Sequence, residues 1–159
     1  MAANHIAASD ASSIVGHTVL LLEDEDDVLA AARDTLEEAG CRVYTARNGK
    51  DALTILAHDR DATIGLLFAD VVLPDGMNGV EVAREAQRLR PSLKVLLTSG
   101  YAEEILAKSG AKSGDLIPKP YTPRELVQRI SILLKETIDE HAHLSSVNPT
   151  TIRETAHLS

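Results

Sequence analysis

Asp70 is the residue from which a chemical reading of this chain starts. It follows Ile64-Gly65-Leu66-Leu67-Phe68-Ala69, a run of apolar or small residues. A loop rich in turn residues comes next, Val71-Val72-Leu73-Pro74-Asp75-Gly76-Met77-Asn78-Gly79. An uninterrupted apolar run of this kind predicts a strand buried on both faces, which belongs in a parallel sheet. Its last residue then lies at the carboxyl end of the strand, where open α/β sheets bind their ligands. A carboxylate there can act as a nucleophile and carry an aspartyl phosphate.

Other residues must supply charge and metal. Thr18-Val19-Leu20-Leu21-Leu22 is a second apolar run, and it ends in five acids, Glu23 to Asp27. Asp26 and Asp27 have a plain explanation as helix-start residues, because the helix dipole favours negative charge there. Glu23 and Asp24 are still on the strand end. In a sheet of order 2-1-3-4-5 the first and third strands are neighbours at the switch point, so these two acids fall beside Asp70. Three carboxylates so close cannot all stay ionised cheaply. A hard cation resolves the conflict, and Mg²⁺ takes about six oxygens, several from water. Asp24 and Asp70 suit direct bonds, Glu23 a water-mediated one, and the backbone carbonyl of Val72 a further position. As an alternative, these acids are solvated strand ends.

Thr98 closes a fourth apolar run, Leu93 to Thr98, and its hydroxyl can reach a phosphoryl oxygen. Lys119 follows a short fifth run within Pro118-Lys119-Pro120, and its ammonium is a point charge suited to phosphate. Singly, each is an ordinary strand or loop residue. Together with the three acids they occupy the ends of strands one, three, four and five.

The elements that must hold these residues are legible between them. Val28, Ala32, Leu36 and Ala39 recur at helical spacing, and Gly40 ends that helix. Cys41 to Ala46 reads as strand two. Asn48 caps a second helix with Ala52, Ile55 and Leu56 inward. Asn78 with Glu81 forms a capping pair for a third helix that ends at Arg90-Pro91. Tyr101 to Ser109 makes a weak helix, and Asp115 to Pro118 a short strand. Thr122-Pro123-Arg124-Glu125 starts the last helix with a cap, a proline at the first position and a capping box. Its apolar stripe is Leu126, Ile130, Leu133 and Leu134. Strands alternating with helices predict a parallel sheet covered on both faces.

The totals set bounds. The chain has 159 residues, 44% hydrophobic but only 3% aromatic, so its core is built of Leu, Val, Ile and Ala. A net charge of −8 argues against non-specific nucleic-acid binding. The single cysteine, Cys41, excludes an intramolecular disulfide and reads as a small core residue. No apolar run approaches the ~20 residues of a membrane span, and the first residues lack the basic and apolar regions of a secretory signal. The expected location is cytoplasmic. Residues 1–17 read as a disordered leader, 18–136 as one domain, and 137–159 as a helix extension or mobile tail. The residues after Lys135 are too few for a DNA-binding output module, since small domains need about 55.

Taken as a set, these motifs resemble the receiver domain of two-component response regulators. Glu23-Asp24 matches that family's acidic pair, Asp70 followed by Pro74 its phosphoacceptor motif, Thr98 its Thr/Ser, and Lys119-Pro120 its lysine and proline. The resemblance covers about Thr18 to Lys135. It implies a flavodoxin-like, doubly wound five-stranded parallel sheet with five helices. It also implies Mg²⁺-dependent phosphoryl transfer to Asp70 from a sensor histidine kinase or histidine phosphotransfer protein, in a signalling phosphoprotein that is a monomer or weak homodimer. Thr98, the turn to Tyr101 and the position of Leu116 would form the switch. Many receivers carry Tyr or Phe where this chain has Leu116, which cannot act as that reporter; Tyr101 is a candidate to take over part of the role. The segments Leu97 to Tyr101 and Lys119 to Tyr121 resemble a branch found as single domains or attached to hybrid kinases. The Lys119–Pro120 bond is expected to be cis. Competing readings are a phosphorylation-independent pseudo-receiver or scaffold, and an aspartate-dependent phosphatase. The phosphatases usually place a second Asp two residues after the nucleophile, where this chain has Val72.

Overall fold

A computed structural model of the chain describes residues 14–74, 76–109 and 115–146. The strands are β1 (Thr18–Leu22), β2 (Arg42–Ala46), β3 (Ile64–Asp70), β4 (Lys94–Ser99) and β5 (Leu116–Pro118). Between and after them run α1 (Asp26–Glu38), α2 (Gly49–His58), α3 (Gly79–Leu89), α4 (Ala102–Ser109) and α5 (Pro123–Ser146). The five strands pair in the order β2-β1-β3-β4-β5, all parallel. This is the order expected from the sequence, and it puts the apolar runs β1 and β3 side by side in the middle.

Strand alternation sorts the core into two layers. Leu21, Phe68, Leu96 and Ile117 face α1 and α5, meeting Leu29, Ala32, Leu36, Leu126, Ile130 and Leu133. Leu20, Leu67, Ala69, Leu97 and Leu116 face the other way, toward Ala52, Leu56, Val82 and Ala86 of α2 and α3. The edge strand β2 is only half buried and alternates, as a strand with one solvated face should.

The capping signals act where the site needs them. The Asn48 side chain accepts from the Asp51 N–H at 2.8 Å. Asn78 and Glu81 bond each other's backbone reciprocally, and Thr122 and Glu125 do the same. Each such cap is worth about 1 kcal/mol. The last two fix the start of α3 just after the Asp70 loop, and of α5 just after Lys119.

Two details differ from the sequence reading. On α1 the inward residue of the first turn is Leu29 rather than Val28. The last residues assigned to the leader belong to the packed domain. Ile14 is fully buried, its carbonyl accepts from the Cys41 thiol at 3.4 Å, and Gly16 N–H donates to Gly40 at 2.9 Å. An Ala/Ser-rich composition hid this one anchoring isoleucine; residues 1–13 lie outside the described residues, as do 147–159 of the tail. Of the two readings of the segment after Thr137, the helix extension holds as far as Ser146, where α5 ends. Cys41 is buried as expected, and burial pushes its thiol up to about 11.

Candidate phosphoacceptor site

The carboxyl ends of β1, β3, β4 and β5 converge on one edge of the sheet. β3 ends at Asp70 and β1 just before Glu23, so the register that pairs Leu22 with Ala69 sets the two acids next to each other. Carboxylate oxygens of Glu23, Asp24 and Asp70 all lie within 4.8 Å of one another. Glu23 and Asp70 are buried and Asp24 is partly so. Asp26 instead pairs with Arg47 at the surface, in keeping with its helix-start role.

Lys119 answers the negative charge. Its ammonium donates to Asp70 Oδ2 at 2.6 Å and lies 3.5 Å from Glu23 Oε1. The Lys119 N–H donates to the Ser99 carbonyl at 3.0 Å, which anchors the loop to the end of β4. The Lys119–Pro120 bond is cis, as expected. Burial works against the ammonium, but its hydrogen bond to Asp70 and the charges of Asp70 and Glu23 outweigh that and hold it above its ordinary value. Glu23 has the opposite fate. Burial, aided by the charge of Asp70, pushes its carboxyl up to about 7 against the opposing Glu25 N–H and Lys119.

The other Asp70 oxygen, Oδ1, accepts from the Val72 N–H at 2.9 Å. The loop is held further by Val71 N–H donating to the Thr98 carbonyl and Gly79 N–H to the Val71 carbonyl. Only glycine fits at position 79, because a Cβ there would collide with the Asp70 carbonyl and the Val71 Cα. Thr98 is the register partner of Asp70. Its Oγ1 is buried and has no hydrogen-bond partner among the described residues, which is costly for a hydroxyl. Tyr101 is 66% exposed, and its N–H donates to the Ser99 hydroxyl at 3.0 Å. Leu116 is buried in the layer facing α2 and α3.

Sequence reading placed Gly79, Ser99 and Tyr121 in segments of this region but missed the contact each one makes there. Gly79 had a visible signal, a glycine at the first helical position behind an asparagine cap. For Ser99 and Tyr121 the resemblance marked the segments, but nothing in the spacing showed the Ser99 hydroxyl accepting from the Tyr101 N–H or the Tyr121 ring against Phe68.

A doubly wound sheet with an acid cluster, a hydroxyl and a lysine along one edge defines the CheY-like receiver class of domain. The family model of the response regulator receiver domain matches residues 19–131. The chain belongs to that family, and so to the proteins of two-component signalling. It is 34% identical over 122 residues to the sensor kinase CckA of Brucella abortus, covering 75% of this chain and 13% of the kinase. Against the response regulator SaeR of Staphylococcus aureus it is 28% identical over 118 residues, covering 73% of this chain and 50% of the relative. The chain therefore spans half or less of the length of these curated relatives. Among solved structures, a response regulator receiver protein from Sinorhizobium medicae superposes with a TM-score of 0.70 at 29% identity, covering 77% of this chain and 97% of that one. The receiver domain of the hybrid histidine kinase CckA does so at 0.60 and 30%, covering 74% and 98%. Among the described residues, no helix is long and apolar enough to cross a membrane.

The donor set fits a hard dication. Three carboxylates of which two are buried, beside one lysine, are a donor set that could hold an oxygen-preferring ion such as Mg²⁺.

Proposed function

We propose that this domain is a phosphoacceptor of a two-component or phosphorelay system, with Asp70 as the nucleophile. The observation that carries the reading is the grouping of Asp70 with Glu23, Asp24 and Lys119 at one sheet edge. An Asp70 carboxylate oxygen bonds to phosphorus as the phosphorus–nitrogen bond of a phosphohistidine breaks. The electron pair stays with the departing imidazole, which takes up a proton. Lys119, already against Asp70, compensates charge on the phosphoryl oxygens, the main task in this chemistry. The buried Thr98 hydroxyl gains the acceptor it lacks, and the turn from Ser99 to Tyr101 shifts with it. Glu23, Asp24, Asp70 and the Val72 carbonyl would hold Mg²⁺, which when bound supplies further positive charge to the phosphoryl oxygens. The phosphodonor is a sensor histidine kinase or histidine phosphotransfer protein, the exchange is cytoplasmic, and the output is a protein contact.

The test is direct. Incubated with Mg²⁺ and acetyl phosphate, the protein gains the mass of one phosphoryl group, and Asp70→Ala does not. An unmodified wild-type mass under these conditions overturns the proposal and favours a phosphorylation-independent scaffold. Sustained turnover of a phosphate ester would instead favour a phosphatase, against the apolar Val72.

A further inference from the structure

The Thr98 side chain lies on the α1/α5 side of the sheet. Along β4, Leu96 belongs to that layer, while Val95 and Leu97 belong to the opposite one. Thr98 pairs with Ile117, whereas Leu116 pairs with Leu97 and lies in the opposite layer. A movement of the Thr98 hydroxyl is therefore felt first on the α1/α5 side, not at Leu116.

What Thr98 meets there is specific. Thr98, Asp70, Glu23, Phe68 and Tyr121 line one crevice too narrow for a water molecule. The Tyr121 ring meets Phe68 edge-on, with centroids 5.8 Å apart and planes at 68°. Phe68 is fully buried. Tyr121 is half-buried, and it also lines an open apolar groove of about 540 Å³ with Val28, Ala31, Thr35 and Pro123. Protein interiors are close-packed, so a side chain that moves in a crevice without free volume must displace a neighbour. Of the two aromatic residues only Tyr121 borders open space, since Phe68 is buried and does not line the groove.

We propose that Tyr121 reports the state of Asp70 to the groove beside α1. This rests on the phosphoacceptor reading. When the Thr98 hydroxyl turns to a phosphoryl oxygen on Asp70, the crevice repacks and Tyr121 shifts, reshaping the groove that α1 shares with the loop after Lys119. Tyr121 is a positioning residue here: it acts through Thr98 and touches no reacting atom.

The chain has three tyrosines and no tryptophan, which makes fluorotyrosine labelling and ¹⁹F NMR of the whole protein readable. Tyr→Phe variants assign the three signals. Mg²⁺ and acetyl phosphate are added, with intact mass followed in parallel. The Tyr121 signal is expected to shift in step with the phosphoryl adduct, and that shift is lost in Thr98→Ala carrying the same adduct. Should Thr98→Ala accumulate too little adduct, Phe68→Leu serves instead, since it loosens the crevice and lets the movement be absorbed before Tyr121. A Tyr121 signal that stays fixed while the adduct forms overturns the proposal. So does a shift undiminished in the variant, which would be the direct field of the phosphoryl charge. Absence of any adduct shows in the mass and removes the phosphoacceptor reading itself, and this inference with it.

Discussion

At the residue scale the site is an unequal contest of charge. Lys119 contacts Asp70 and approaches Glu23, while Asp24 completes a group of three acids. Replacing Lys119 with Ala removes the only described cation in contact with the Asp70 side chain. The rate of adduct formation from acetyl phosphate should fall about 10²-fold or more, the range for losing one preorganised charge-stabilising donor. Lys119→Arg should not restore it, because a planar fork does not replace a compact ammonium. Glu23 gives a pH signature. Its carboxyl has an ordinary value of 4.5 and is pushed up to about 7 in the folded, metal-free protein, chiefly by burial. Between those values the folded state holds a proton that the unfolded state has released. The contribution of this carboxyl to the stability of the metal-free protein therefore falls as pH rises from 4.5 to 7, by something on the order of 3 kcal/mol. Denaturant titrations across that window should show the decline, and Glu23→Gln should flatten it. A wild-type profile that rises through the same window would contradict the assignment.

At the scale of elements, the parts that place the site were mostly legible, and for physical reasons. Apolar runs ending in a polar residue marked β1, β3 and β4, and the reciprocal caps at Asn78 and Thr122 marked where α3 and α5 begin. What was not legible depends on side chains that meet across long stretches of sequence. Arg90 read as a helix stop. In the fold it reaches back 31 positions to Asp59 at 2.7 Å and also donates to the carbonyls of Leu56, Asp59 and Ile64. It thus clamps the end of α2 to the start of β3. Burial alone would raise the Asp59 carboxyl, but bonds from Thr63, Ile64 and Arg90 together hold it far below the usual range. Arg90→Ala should cost roughly 3 kcal/mol, as expected for breaking a largely buried pair from one side. The sign with pH follows from the depressed carboxyl. The pair's contribution is full above the ordinary value of 3.8 and is lost as pH falls below it. Wild type should lose more stability than Arg90→Ala on acidification below that value, and equal losses would show that the clamp is energetically idle.

For the whole molecule, the sheet order turns four separate strand ends into one functional edge, and that step could be anticipated because alternating strands and helices leave few topologies open. The layers that Leu116 and Tyr121 occupy could not, since they depend on strand register and on packing across the sheet. The same edge concentrates acid in a chain whose net charge is already −8. A fold whose acid cluster is only partly offset by Lys119 should gain stability from a cation that binds the folded state alone. At about ten times its Kd, Mg²⁺ should add roughly 1.4 kcal/mol, or about 4–8 °C in Tm for a domain of this size. NaCl at matched ionic strength screens the surface but does not enter the cluster, so it should give much less. Asp24→Asn removes one of the three carboxylates without touching the Lys119–Asp70 pair, and should cut the Mg²⁺ shift while leaving the metal-free Tm at or above that of wild type. An equal shift from NaCl, or one unchanged in Asp24→Asn, would show that the acid group is a solvated edge and not a metal site.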